Sequence, residues 1–174
     1  MLFKAKGILD FNLENITKKH NNQSAWKRTA MIKTNCDIES YYSWFIERRF
    51  NLKLNKTLRG SHISIINDRI DSNIFEEASK IFHGREITFY YDIEPRGDKS
   101  HWWLRVYCPE AEDIREAMGL TREPYYALHL TIGYVDDKRK DHSDYILRQC
   151  KKFELISNEP RKPFNQHEIV ETIL

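Results

Sequence analysis

Two short segments carry the same arrangement of reactive side chains. They are Ser61-His62-Ile63-Ser64-Ile65-Ile66 and Leu128-His129-Leu130-Thr131-Ile132-Gly133. Each places a histidine two residues before a hydroxyl, inside alternating apolar positions. That alternation predicts a β-strand. Residues i and i+2 of a strand project from one face. His62 and Ser64 should therefore point one way and Ile63 and Ile65 the other. His129 and Thr131 should likewise share a face, opposite Leu128, Leu130 and Ile132. Two imidazoles and two hydroxyls suit metal-free phosphodiester chemistry. One histidine takes a proton from the attacking oxygen and the other protonates the leaving oxygen. The hydroxyls can hydrogen-bond the phosphoryl oxygens as charge builds there.

The pattern alone is weak evidence. With 7 histidines and 18 Ser or Thr among 174 residues, random placement gives roughly 0.7 His-x-Ser/Thr matches. The bland alternative is a pair of half-buried strand histidines beside ordinary strand hydroxyls. What sets the two segments apart is their apolar flanks. His20, His83, His101, His142 and His167 all lack a hydroxyl two positions on.

The elements that must hold these segments read as mixed α and β. A first strand is expected over Arg28 to Lys33. Asp37 is a plausible N-cap for a helix running to about Phe50, with Ile38, Tyr41, Tyr42, Phe45 and Ile46 as its buried stripe. The first histidine strand follows a turn at Arg59-Gly60. A second helix is expected from Asn73 to His83, stopped by Gly84. Glu86 to Asp92 and Trp102 to Cys108 read as strands joined by the loop from Glu94 to Asp98. Pro109 suits a helix start and Gly119 its end; the second histidine strand comes last. The expected order is strand, helix, strand, helix, strand, strand, helix, strand, in one domain over residues 1–174.

Composition narrows the partners. A net charge of +2 is too small for a general nucleic-acid coat, so DNA is not expected. It leaves room for a local basic pocket holding a small anion. No apolar run is long enough to span a bilayer, and no secretory pattern opens the chain. Cys36, Cys108 and Cys150 are odd in number and widely spaced, which argues for reduced thiols in a cytoplasm. His167-Glu168 with Glu171 lacks the second histidine of a metalloprotease helix. Neither a metal nor a cofactor is called for.

The two-motif layout resembles the 2H phosphoesterase superfamily, defined by a pair of His-x-Thr/Ser motifs, one per lobe. Tyr41-Tyr42-Ser43-Trp44-Phe45, Leu58-Arg59-Gly60-Ser61-His62-Ile63-Ser64, Ile65-Ile66-Asn67-Asp68-Arg69 and Leu128-His129-Leu130-Thr131-Ile132-Gly133 resemble the phage anti-CBASS phosphodiesterases. These degrade the cyclic oligonucleotide signals of bacterial immunity. The similarity runs from about Trp26 to about Glu159. One departure is Ser64, where Thr is commoner. The resemblance implies an α+β fold of two lobes, with antiparallel or mixed sheets and a central cleft where the histidines meet. It implies His62, Ser64, His129 and Thr131 as catalytic residues and a cyclic di- or trinucleotide, such as 3′,3′-cyclic GMP-AMP, as substrate. It also implies action in the cytoplasm of the infected bacterium. Bases need stacking partners, worth about 1–3 kcal/mol each. Tyr91 is the favoured candidate and Trp26 another; only one of Tyr90 and Tyr91 can share a given strand face. Arg59 could meet a phosphate. A carboxylate after the second motif, Glu154 or Glu159, is expected near the substrate. Two alternatives stay open: a 2′,3′-cyclic phosphodiesterase acting on RNA ends, and a nucleotide-binding sponge.

Overall fold

The computed structural model describes residues 1–13, 27–98 and 100–135. In chain order its elements are β1 (Leu2–Asp10), β2 (Lys27–Thr34), α1 (Cys36–Phe50), β3 (His62–Arg69), α2 (Ser72–Phe82), β4 (Glu86–Asp92), β5 (Arg96–Gly97), β6 (His101–Tyr107), α3 (Pro109–Ala117) and β7 (His129–Tyr134). The expected strands and helices are all present. Two strands were not anticipated: β1, and the two-residue β5 inside the loop before β6. Gly7 and Ala5 weaken the strand signal of β1. Yet Gly7 is needed there, since a Cβ at that position would lie 2.3 Å from Ile32 Cγ2 of the neighbouring strand.

The strands form one antiparallel sheet in the order β4-β1-β2-β3-β7-β6-β5, and an additional β4–β6 pairing closes it into a barrel. One row explains its stability. Leu9 pairs with Ile32, Ile32 with Ile63, Ile63 with Leu130, and Leu130 with Leu104. All five are 0 % exposed. The row crosses five strands and joins the same apolar cluster as the buried residues of the helices, including Tyr42, Ile46, Phe75, Ala78 and Ile114. Burying such a side chain contributes about 1.5–3 kcal/mol. The row therefore locks the register, because a one-residue slip would turn every member to the other face.

Local chemistry sets the helix ends. Asn35, and not Asp37, caps α1: its side chain accepts from the Asp37 amide at 2.9 Å. Asp37 sits inside the first turn, where a carboxylate suits the positive helix end. The buried stripe of α1 also differs from expectation. Tyr41 is exposed, whereas Glu39 is buried beside Tyr42 and Ile46. Asp71 caps α2 through the Asn73 amide at 2.8 Å. Pro109 opens α3, and Gly119 follows it at φ +75°, a conformation that favours glycine.

Buried Arg115 of α3 ties that helix to β3. Its Nη1 donates to the Ile65 carbonyl at 2.7 Å and to Asp68 Oδ2 at 2.8 Å, and its Nε donates to the Thr121 carbonyl at 2.9 Å. Cys108 is a buried free thiol. Cys36 is disulfide-bonded, which corrects the expectation of reduced thiols. No helix among the described residues is long and apolar enough to cross a membrane.

Candidate functional site

The core row dictates what lies on the other side of the sheet. Side chains alternate along each strand, so the neighbours of Ile63 and Leu130 turn away from the core. Ile63 pairs with Leu130 across the antiparallel β3–β7 contact. That one pairing puts His62 and Ser64 of β3 on the same face as His129 and Thr131 of β7. It also sets each histidine across from the other strand's hydroxyl residue: His62 faces Thr131, and Ser64 faces His129. Two motifs far apart in the chain thus share one patch of sheet.

The two rings are oriented alike. His62 Nδ1 lies 2.7 Å from the Gly60 carbonyl oxygen, and His129 Nδ1 lies 2.8 Å from the Ala127 carbonyl oxygen. A carbonyl can only accept, so Nδ1 carries the proton in both. In the neutral ring this leaves Nε2 with its lone pair, available as a base. Each carbonyl belongs to the residue two before its histidine, so the bond holds the ring back along its own strand.

The turn before His62 is braced from both sides. Gly60 adopts φ +67°, the left-handed region, which aims its carbonyl at the ring. Thr57 Oγ1 donates to that same carbonyl oxygen at 2.6 Å. Thr57 N in turn donates to buried Glu39 Oε1 at 3.5 Å. Lys33, almost fully buried, pairs directly with His62 across β2–β3, and its Nζ donates to the Arg59 carbonyl at 2.5 Å. Thr34 and Ser61 hydroxyls meet at 2.6 Å.

These surroundings set the charges. Burial, then the Lys33 ammonium, pushes the His62 pKa down to about 3, with smaller pushes from Arg59 and His129; the bond to Gly60 opposes them. His62 is therefore a neutral imidazole at physiological pH. Burial pushes Glu39 up to about 7, against the opposing pull of the Thr57 amide, Lys56 and Lys33.

The other expected residues divide. Arg59 lies in the braced turn, its backbone holding Lys33 and its charge felt by His62. Tyr91 lies on the opposite face from the histidines. It pairs with Val106, which alternates with Leu104 of the core row, and its ring meets Phe3, Tyr42 and Phe89. The tyrosine on the histidine face is Tyr90, paired with Tyr107. Trp26, Glu154, Glu159 and the His167 segment lie outside the described residues.

The same face carries residues that the strand pattern did not single out. Trp103 pairs with Thr131, and Arg105 pairs with His129. With Lys33 they add two cations and an aromatic ring beside the four motif residues. Alternation places each of them on a face of its own strand; nothing local says which strands become neighbours. Among the described residues no group of three or more His, Cys, Asp or Glu is placed to hold a metal ion. No protein-family model, curated protein or solved structure matches the chain.

Proposed function

We propose that the protein is a metal-independent phosphodiesterase that cleaves cyclic di- and trinucleotide immune signals in the cytoplasm of an infected bacterium. The single observation that carries this reading is the Ile63–Leu130 pairing. It gathers two histidines, both with Nδ1 bound to a carbonyl, and two hydroxyls on one sheet face.

The reaction runs as follows. Neutral His62 takes the proton of a ribose 2′-hydroxyl at Nε2. The 2′-oxygen forms its bond to phosphorus as the bond from phosphorus to the 5′-oxygen breaks. Protonated His129 gives its proton to that departing oxygen. The products are a 2′,3′-cyclic phosphate and a free 5′-hydroxyl, with His62 charged and His129 neutral. Water can then open the cyclic phosphate with the two roles exchanged. Ser64 and Thr131 donate to the phosphoryl oxygens, and Lys33 and Arg105 offset the growing charge. A bound phosphate also acts on His62 itself: a neighbouring anion favours the imidazolium and raises its pKa from the low resting value. The base thus strengthens when substrate is in place. Trp103 and Tyr90 offer rings for the bases on this face.

The test is incubation of purified protein, with chelator present, with 3′,3′-cyclic GMP-AMP, a cyclic trinucleotide and 2′,3′-cyclic mononucleotides. Mass spectrometry identifies the products. Opened cyclic oligonucleotides support the reading. Turnover of the mononucleotides alone points to an enzyme of RNA ends, and recovery of intact bound ligand points to capture without cleavage.

A further inference from the structure

A concavity lies on the other side of the sheet from the histidines. It is a cavity of about 350 Å³ lined by Phe3 of β1, by Asp37, Tyr41 and Tyr42 of α1, and by Tyr91 and Ile93 at the end of β4. Its rings are arranged as a box. Tyr41 stands at 86° to Tyr42 with centroids 5.1 Å apart, and Tyr91 stands at 84° to Tyr42 with centroids 6.4 Å apart. Tyr42 is thus a floor and the other two are walls, both nearly perpendicular to it. Phe3 extends the Tyr91 wall at 5.8 Å. The floor is fixed: Tyr42 Oη donates to the Ile93 carbonyl at 3.0 Å. Tyr41 and Phe3 are 56 % and 42 % exposed, so the mouth of the cavity presents aromatic surface to solvent.

We propose that this box binds a small organic cation of the alkylammonium type, held over the ring faces and against the Asp37 carboxylate. Aromatic faces carry negative charge density and attract such cations. A box of perpendicular rings presents faces from several directions, which a flat stacking ligand such as a nucleobase does not use. The carboxylate adds the charge that a purely apolar ligand would not need. Burial, then Tyr91, Tyr41 and the Asp92 carboxylate, push the Tyr42 phenol up to about 12.

The site is independent of the phosphodiesterase reading, because it lies on the opposite face and needs no turnover. Its test is titration of the full chain with choline, with 3,3-dimethylbutan-1-ol as the neutral isostere, and with guanosine, followed by calorimetry and by the ring resonances of Tyr41 and Tyr91. Choline should bind saturably and shift both rings, with the isostere at least tenfold weaker. Asp37→Asn should remove most of that tenfold difference, and Tyr41→Leu should abolish the shift at Tyr91. Both positions are exposed, and the circular dichroism of each variant verifies its fold. Equal binding of choline and its isostere would overturn the cation assignment. So would binding of guanosine alone, or no saturable shift with any probe.

Discussion

His62 and His129 make the same hydrogen bond: each Nδ1 meets the carbonyl oxygen of the residue two before it, at 2.7 and 2.8 Å. The equivalence extends to position, since the two strands pair at Ile63 and Leu130, one residue beyond each ring. A structural histidine needs one such partner. In the proposed reaction, two histidines on one face with matching partners form the pair that passes a proton in either direction. On this account His62→Ala and His129→Ala each reduce turnover of a cyclic dinucleotide by about 100-fold or more. Because both act in one transition state, the double variant should be little slower than either single one. Multiplicative losses would show that the rings act separately.

Acid and alkaline stability should respond to two buried groups with opposite signs. The His62 pKa is lowered from 6.5 to about 3, so between those values the unfolded chain binds the extra proton. Its contribution is present above pH 6.5 and is lost as pH falls toward 3. The Glu39 pKa is raised from 4.5 to about 7, so here the folded chain holds the extra proton. Its contribution is present below pH 4.5 and is lost as pH rises through 7. Thermal melts across pH should therefore show His62→Gln losing less stability on acidification than the parent. Glu39→Gln should gain on the parent as pH rises through 7. Parallel melting curves for all three proteins would contradict both assignments.

The clamp between α3 and β3 is the next expectation. Arg115 satisfies the Ile65 carbonyl, Asp68 and the Thr121 carbonyl while 1 % exposed. Arg115→Met keeps the volume but leaves those acceptors without their charged donor. Hydrogen bonds to charged groups contribute about 1.5–3 kcal/mol each, so urea denaturation should show a loss of about 2 kcal/mol or more. An unchanged midpoint would mean that water or a neighbour takes over the acceptors.

Much of the site's layout was legible because strand alternation is local. His62 with Ser64, and His129 with Thr131, follow from spacing alone. Their union on one face depends on register, which is decided by five apolar residues from five strands meeting in one row. No single strand records that. For the same reason Lys33 and Arg105 went unrecognised, and Trp103 was one stacking candidate among many, since each belongs to the site only through its cross-strand partner. Tyr90 and Tyr91 show the limit most sharply. Adjacent tyrosines must face opposite ways, and only the pairing of Tyr91 with Val106 decides which of them meets the core. β1 escaped notice because its closest approach to β2 demands Gly7, a residue that speaks against a strand. The α1 cap was displaced by two residues because Asn35 and Asp37 both carry capping side chains, and both are in the sequence where only one is needed.

In the proposed reaction a sugar hydroxyl attacks the phosphorus with His62 as its base. An internal nucleophile can be worth about 7–11 kcal/mol when well oriented, so its removal should cost rate far more than affinity. The decisive measurement is single-turnover cleavage of 3′,3′-cyclic GMP-AMP and its 2′-deoxy analogue in excess EDTA, with binding of each followed by calorimetry. The account predicts that the ribonucleotide is cut to a 2′,3′-cyclic phosphate and that the deoxy analogue binds but stays intact. Equal cleavage of both, or a strict need for a divalent ion, would contradict it.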